Sequence, residues 1–203
     1  MMGIVKTKHK VVVILFCTIA FLVIYGSIHM IDHILQYVQK YALGMSSPPA
    51  LFEGLLNVSD TTVHLWLNVI EYAAIIVLWF SFKQAILNER IKTRLSQTKR
   101  KHLIIATVAI LSLLVYQTLH VIDHVFQYVQ LYELGIENPP ALFEGAFNES
   151  DTVIHLWINA TLILGIFVVW ASLNALQRWK IVNPVVFSDE ESMNAQETAR
   201  TIV

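Results

Sequence analysis

The chain contains four apolar blocks that are long enough, or nearly so, to cross a lipid bilayer. Val11–Ile31, Leu103–Ile122 and Thr152–Gln177 carry no formal charge, and Leu65–Phe82 carries only Glu71. An α-helix needs about 20 residues to cross roughly 30 Å of hydrocarbon. The first block is too long for a removable signal peptide and has no small-residue cleavage site. The sequence therefore predicts an all-α membrane protein with four transmembrane helices.

The basic residues indicate how these helices are oriented. Of the 14 lysines and arginines, 13 precede the first block, separate the second from the third, or follow the fourth, and only Lys40 lies on the opposite side. The positive-inside rule then places both termini in the cytoplasm, in a multi-pass protein of the cytoplasmic (plasma) membrane. The basic segment 88–101 is interpreted as a topology signal that also attracts anionic lipid. The expected partner is the bilayer, and no nucleic acid is expected.

The chain repeats itself. Residues 29–79 align without a gap with residues 120–170, at a constant offset of 91, and 29 of the 51 aligned positions are identical. This pattern predicts a tandem duplication of a helix–loop–helix unit. Because each unit crosses the membrane twice, both copies should have the same orientation, with a symmetry axis along the membrane normal, in contrast to the inverted repeats of many transporters.

The repeat divides the chain into five predicted segments: a cytoplasmic N-terminus (1–10), a first repeat (11–87) with an outer loop at about 44–60, a basic linker (88–101), a second repeat (102–179) with an outer loop at about 135–151, and a cytoplasmic tail (180–203). Gly44 and Gly135 are predicted helix ends, and the paired prolines that follow favour a short helix in each loop. Asn57 and Asn148 match the N-x-S glycosylation pattern, although helix capping explains the same residues.

Polar residues form a stripe on each predicted helix near its outer end. At 100° per residue His29, His33 and Gln36 share one face, with Asp32 at its edge, and the i, i+4 spacing lets both imidazoles reach one ion. The second helix carries a matching stripe. The remaining candidate residues are His64, Asn68 and Glu71 in the first repeat and His120, Asp123, His124, Gln127, His155 and Asn159 in the second. Leu162 stands at the position that corresponds to Glu71, so that carboxylate is unique to the first repeat.

Three interpretations of these stripes stay open. Three imidazoles with a nearby carboxylate suit zinc or copper, Asp32 being either a ligand or a group that orients one, and two histidines on facing helices can also ligate haem. Alternatively, intramembrane acids and histidines form a transport path or proton relay, with Glu71 as the deepest acid. The third interpretation is a hydrogen-bonded network that holds the helices together without any cofactor.

The motif in "HMIDHILQ", followed by "YALG", a Pro-rich loop and a helix that begins "HLW", resembles uncharacterised prokaryotic multi-pass membrane proteins with an H-x2-[DE]-H-x2-Q helix end. The resemblance covers about half of the chain, namely the core of each repeat. It implies the same topology and directs attention to the two histidines, the acid and the glutamine of each motif. It implies no particular ligand or activity.

The leading functional expectation is a transition-metal site, with copper or zinc favoured over haem, in a subunit or accessory of a membrane oxidoreductase or metal-handling complex. A hydrolase is disfavoured because the sequence offers no nucleophile–base pair. Whether the chain is an enzyme stays open, with an accessory role favoured. Other membrane subunits or further copies of this chain are the expected protein partners.

Overall fold

The computed structural model describes residues 2–46, 49, 51–56, 58–90, 97–137, 139–140, 142–147 and 150–178. Across these residues the chain is all-helical and has no strand. Its six helices are α1 (Met2–Tyr41), α2 (Leu51–Leu56), α3 (Asp60–Arg90), α4 (Gln97–Tyr132), α5 (Leu142–Phe147) and α6 (Asp151–Arg178). The long helices α1, α3, α4 and α6 each contain a segment long and apolar enough to cross a membrane. The prediction of an all-α chain with four such helices is confirmed.

Two long helices begin earlier than their apolar blocks. Helix α1 begins at Met2 and α4 at Gln97, because neither basic segment contains a proline and lysine, arginine and glutamine are good helix formers. The two glycosylation motifs, at Asn57 and Asn148, lie outside the described residues, as does the predicted tail 180–203.

Helices α1 and α4 end where the sequence predicts. Gly44 and Gly135 adopt φ values of 71° and 67°, the left-handed conformation that a glycine after a helix end commonly takes. The amide of Met45 donates back to the carbonyl of Gln39, which closes the end of α1. The short helices α2 and α5 follow in the two loops, at the positions predicted from the paired prolines.

The four long helices form a ring in which α1 and α4 each pack against both α3 and α6. The two loops lie at the same end of this bundle. The hydroxyl of Tyr41, at the end of α1, is 2.6 Å from that of Ser150, just before α6, and the hydroxyl of Tyr132, at the end of α4, is 3.0 Å from that of Ser59, just before α3. We call this end of the bundle the loop end.

The interior of the bundle has an apolar half and a polar half. Away from the loop end, the core consists of buried aliphatic and aromatic residues, such as Leu22, Ile75, Phe82, Ile110 and Ile166. Towards the loop end, the buried side chains are mainly histidine, aspartate, glutamine and asparagine. Because lipid supplies no hydrogen bonds, these polar groups must find partners inside the bundle.

Candidate metal centre

The structure brings all of the predicted site residues into the polar half of the bundle. None of them is more than 6% exposed. The histidines fall into a first histidine group, formed by His29, His33 and His64, and a second histidine group, formed by His120, His124 and His155. Within each group, one possible ligand atom from every histidine lies within 4.8 Å of the others.

In the first histidine group, two nitrogens face each other at a distance that suits a shared ion. The Nε2 atoms of His29 and His33 are 3.2 Å apart. Two ligands of a tetrahedral zinc ion, each with a Zn–N bond of about 2.0–2.1 Å, are separated by about 3.3 Å. The same contact is a hydrogen bond between the two imidazoles, and an ion bound by both nitrogens would take the place of its proton.

Hydrogen bonds fix which nitrogen of His33 carries the proton. The amide nitrogen of Gln36 donates to Asp60 Oδ1 at 3.1 Å, so the Gln36 oxygen faces His33. That oxygen is 3.1 Å from His33 Nδ1, which must therefore be the donor. The lone pair of a neutral His33 is consequently on Nε2 and points into the histidine group.

The same argument applies to His64, with a more unusual result. Its Nδ1 lies 2.9 Å from Asp60 Oδ1 and 3.0 Å from the Asp60 carbonyl oxygen, and both are acceptors. A neutral His64 thus also presents the lone pair of Nε2, which lies 3.5 Å from Asp32 Oδ2. Neither of these two buried atoms has a hydrogen-bond partner among the described residues. Two acceptors therefore face each other, an arrangement that a cation between them would stabilise.

The other oxygen of Asp32 holds the carboxylate in place. Asp32 Oδ1 accepts a hydrogen bond from the backbone amide of Leu51, the first residue of α2. The short helix thus orients a carboxylate toward the histidines, which explains why the loop matters to the site. Groups that orient metal ligands in this way commonly tune metal affinity.

The second histidine group reproduces most of these contacts. The Nε2 atoms of His120 and His124 are 3.2 Å apart, and His124 Nδ1 is 2.9 Å from the Gln127 side-chain oxygen. Asp123 Oδ2 lies 3.7 Å from His155 Nε2, while its Oδ1 accepts from the amide of Leu142, at the start of α5. Asn68 and Asn159 also match, because each donates to the backbone carbonyl of the histidine four residues earlier, at 2.9 Å.

The two histidine groups are in contact with each other. The ring centroids of His33 and His155 are 5.5 Å apart, and those of His64 and His124 are 5.9 Å apart. These separations are scarcely larger than those inside a group, which range from 4.6 to 5.5 Å in the first. The sequence predicted polar stripes in each repeat, and the structure joins their histidines in one continuous cluster of six imidazoles.

A cavity of about 670 Å³ extends from this cluster toward the loop end, and we call it the chamber. Four histidines line it, two from each group: His33, His64, His124 and His155. Its other lining residues include Lys40 and four acids, namely Glu53, Asp60, Glu137 and Glu144. An excess of carboxylates over ammonium groups attracts cations.

Glu71 distinguishes the first histidine group from the second. It is fully buried, and its Oε2 lies 3.5 Å from His29 Nδ1. In the second repeat Leu162 occupies the corresponding position. Neither His29 Nδ1 nor His120 Nδ1 has a hydrogen-bond partner among the described residues, and the difference is that a carboxylate lies at ion-pair distance from the outer nitrogen of His29.

Gln117 also lies in this region, although the sequence patterns did not predict it. It is fully buried on α4, and its amide nitrogen lies 2.9 Å from Asn68 Oδ1 and 3.4 Å from Glu71 Oε2. Gly26 is the corresponding residue of the first repeat, so comparison of the repeats did not select this position. The available signal was an amide in the middle of the charge-free block Leu103–Ile122.

The fold and the cluster together define a class: an all-helical protein with four candidate membrane helices and buried histidine groups compatible with metal binding. Comparisons of the chain with protein-family models, with curated proteins and with solved structures give no match. Its function must therefore be argued from its own residues.

Proposed function

We propose that this chain is an integral membrane protein that binds two transition-metal ions, copper or zinc, one in each histidine group. The observation that carries the proposal is the convergence of acceptors in the first group. The Nε2 lone pairs of His33 and His64 point into the group, and Asp32 Oδ2 lies 3.5 Å from His64 Nε2. Neutral imidazole nitrogens and a carboxylate are ligands that zinc and copper accept.

The surroundings of the histidines support the same proposal. Glu71, Gln36 and Asp60 contact the Nδ1 atoms of His29, His33 and His64, respectively. Metal-ligating histidines almost always donate their other ring nitrogen to such a partner, which fixes the ring and raises its basicity. His33 Nδ1 and His64 Nδ1 have such a hydrogen-bond partner, and the Glu71 carboxylate lies at ion-pair distance from His29 Nδ1, which is the pattern expected around a metal site.

The proposed membrane topology follows the basic residues. Both termini face the cytoplasm, the loop end faces outward, and the protein lies in the cytoplasmic membrane. The two repeats are related by an axis along the membrane normal, which agrees with the placement of both loops at one end. The metal ions are then bound near the outer leaflet and reached through the chamber from outside.

We further propose that the chain acts as a subunit or accessory of a membrane oxidoreductase or of a metal-handling complex. All six histidines are buried, at 1–3% exposure, so bound ions would be held away from the bulk solvent. Copurification from detergent-solubilised membranes tests for partner subunits.

Metal analysis of the purified full chain tests the central proposal. We expect two copper or zinc ions per chain after loading, and none in a variant in which His29, His33, His120 and His124 are all replaced by alanine. The matched control replaces His9 and His102, which lie outside both groups. Absence of bound metal from the native chain, even after metal is supplied, would refute the proposal. A Soret band lost in the variant would assign the site to haem.

A second candidate is a structural network without a cofactor, and one observation favours it. A proton on His64 Nε2 would place an imidazolium between Asp32 and Asp60, 3.5 Å and 2.9 Å away. The longer distance exceeds the roughly 2.7–2.9 Å of a charge-assisted hydrogen bond, which is why we favour the ion. If the histidine variant loses thermal stability and the native chain binds no metal, the network explains the cluster.

A further inference from the structure

We propose that the two bound ions form a single dinuclear centre, in which the ions interact across the chamber. This inference rests on the proposed function, and it adds that the two groups act together. The first support is the contact between groups, where the His33 and His155 rings are 5.5 Å apart and nearly parallel, at 16°. The His64 and His124 rings are 5.9 Å apart, at 18°.

These contacts limit the distance between the ions. A metal bound through a ring nitrogen lies about 3.2 Å from the ring centroid, given a bond of about 2.0–2.1 Å. Adding that length at both ends of the 5.5 Å contact places the two ions within about 12 Å of each other, even if they lay on opposite sides of the ring pair. Any less extreme arrangement brings them closer.

The chamber supports a shared centre more directly. His33 and His64 from the first group and His124 and His155 from the second line the same cavity. A water molecule or small anion in this cavity can therefore reach the ligands of both ions.

The buried charges are suited to a pair of cations. Asp32, Asp123 and Glu71 are all 0% exposed and border the histidines. If ionised, they offset three of the four positive charges of two divalent ions, which reduces the repulsion between ions in a low-dielectric interior.

Electron paramagnetic resonance tests the dinuclear centre. The full chain is loaded with two equivalents of Cu(II) in detergent. We expect a spectrum that is broadened or reduced in integrated intensity, with a half-field transition. The control is the same chain loaded with trace copper in excess zinc. Zinc is diamagnetic, so each copper then has a silent neighbour and should give an ordinary mononuclear spectrum at full intensity. This control needs no mutation and leaves the fold unchanged.

Single-group variants give a second control. His33→Ala and His124→Ala are each expected to retain one copper with a mononuclear spectrum, and either variant suffices if the other does not fold. If the native chain binds two copper ions and its spectrum has the line shape of the zinc-diluted sample, the ions do not interact. That result would overturn the dinuclear centre and leave the proposal of metal binding intact. A native chain that binds only one copper also overturns it. A chain that binds no copper or zinc overturns both proposals.

Discussion

Replacing Glu71 by leucine is expected to weaken metal binding in the first histidine group by 10- to 100-fold. When His29 binds a metal through Nε2, its Nδ1 carries the proton, and the fully buried Glu71 carboxylate lies at ion-pair distance from it, 3.5 Å away. Loss of such an outer partner typically costs 10- to 100-fold in affinity, which corresponds to about 1.4–2.7 kcal/mol. Leucine is the natural choice because Leu162 is the corresponding residue of the second repeat.

The native chain supplies its own reference for this prediction. Because the second histidine group lacks the carboxylate, we expect two unequal dissociation constants in the native chain, with the tighter one belonging to the first group. In the Glu71→Leu variant the two constants should converge. Competition titration of the metal-free chain against a chromophoric zinc chelator measures both constants. Variants limited to one group, His33→Ala or His124→Ala, assign each constant to its group.

Two further measurements separate positioning from a general structural effect. Glu71→Gln keeps an acceptor oxygen and removes the charge, so its affinity should lie between those of the native chain and the leucine variant. The melting temperature of metal-free Glu71→Leu should fall, because removing one partner of a buried pair is destabilising, so the affinities are compared at a temperature at which both chains are folded. Equal constants in the native chain, or equal weakening of both groups by Glu71→Leu, would refute the reasoning.

Four other substitutions test the site and the scaffold around it. Asp32→Asn removes a carboxylate from the first group and should weaken its zinc affinity at least tenfold in the same titration; unchanged affinity would show that this oxygen does not serve the ion. Gly44→Ala and Gly135→Ala place a Cβ at positive φ with nothing within 4 Å, so each should lower the free energy of unfolding by about 1 kcal/mol through the backbone alone, and a denaturant titration with no change would contradict the strain. Gly165→Ala puts a Cβ 2.6 Å from Leu113 Cδ2 and should lower the melting temperature by less in a Leu113→Ala background than in the native chain; equal losses in the two backgrounds would mean that the contact between α4 and α6 is not the cause.

Helical periodicity predicted the members of each stripe and their burial. His29, His33 and Gln36 are spaced so that any α-helix places them on one face, and hydrocarbon forces that face inward. Gly44 likewise predicted the end of α1, because only a residue tolerant of positive φ fits there. These features depend on residues close together in the sequence, which is why the sequence alone was sufficient.

The contacts between repeats could not be predicted in the same way. The ring of His33 stacks on that of His155, 122 positions later, because α1 packs against α6 as well as α3. Periodicity identifies which face of a helix is buried, and it does not identify which helix that face will meet. The joining of two expected sites into one cluster, and the chamber that both groups line, therefore emerged only from the packing of the bundle.

The difference between the two groups arises from two exchanges that act together. Glu71 in the first repeat replaces the leucine of the second, and Gly26 in the first replaces the glutamine of the second. A Cβ at Gly26 would lie 3.3 Å from Glu71 Oε1, so the glycine gives the carboxylate room. Gln117 approaches the other oxygen at 3.4 Å. The residues at positions 26 and 117 thus provide both space and a polar neighbour for the acid at position 71. The two repeats of the sequence therefore differ at one depth, beside His29, while Asp32, His33 and His64 keep their counterparts. An asymmetry confined to the outer partner of one ligand is expected to change the order in which the ions bind and to leave the ligands themselves unchanged.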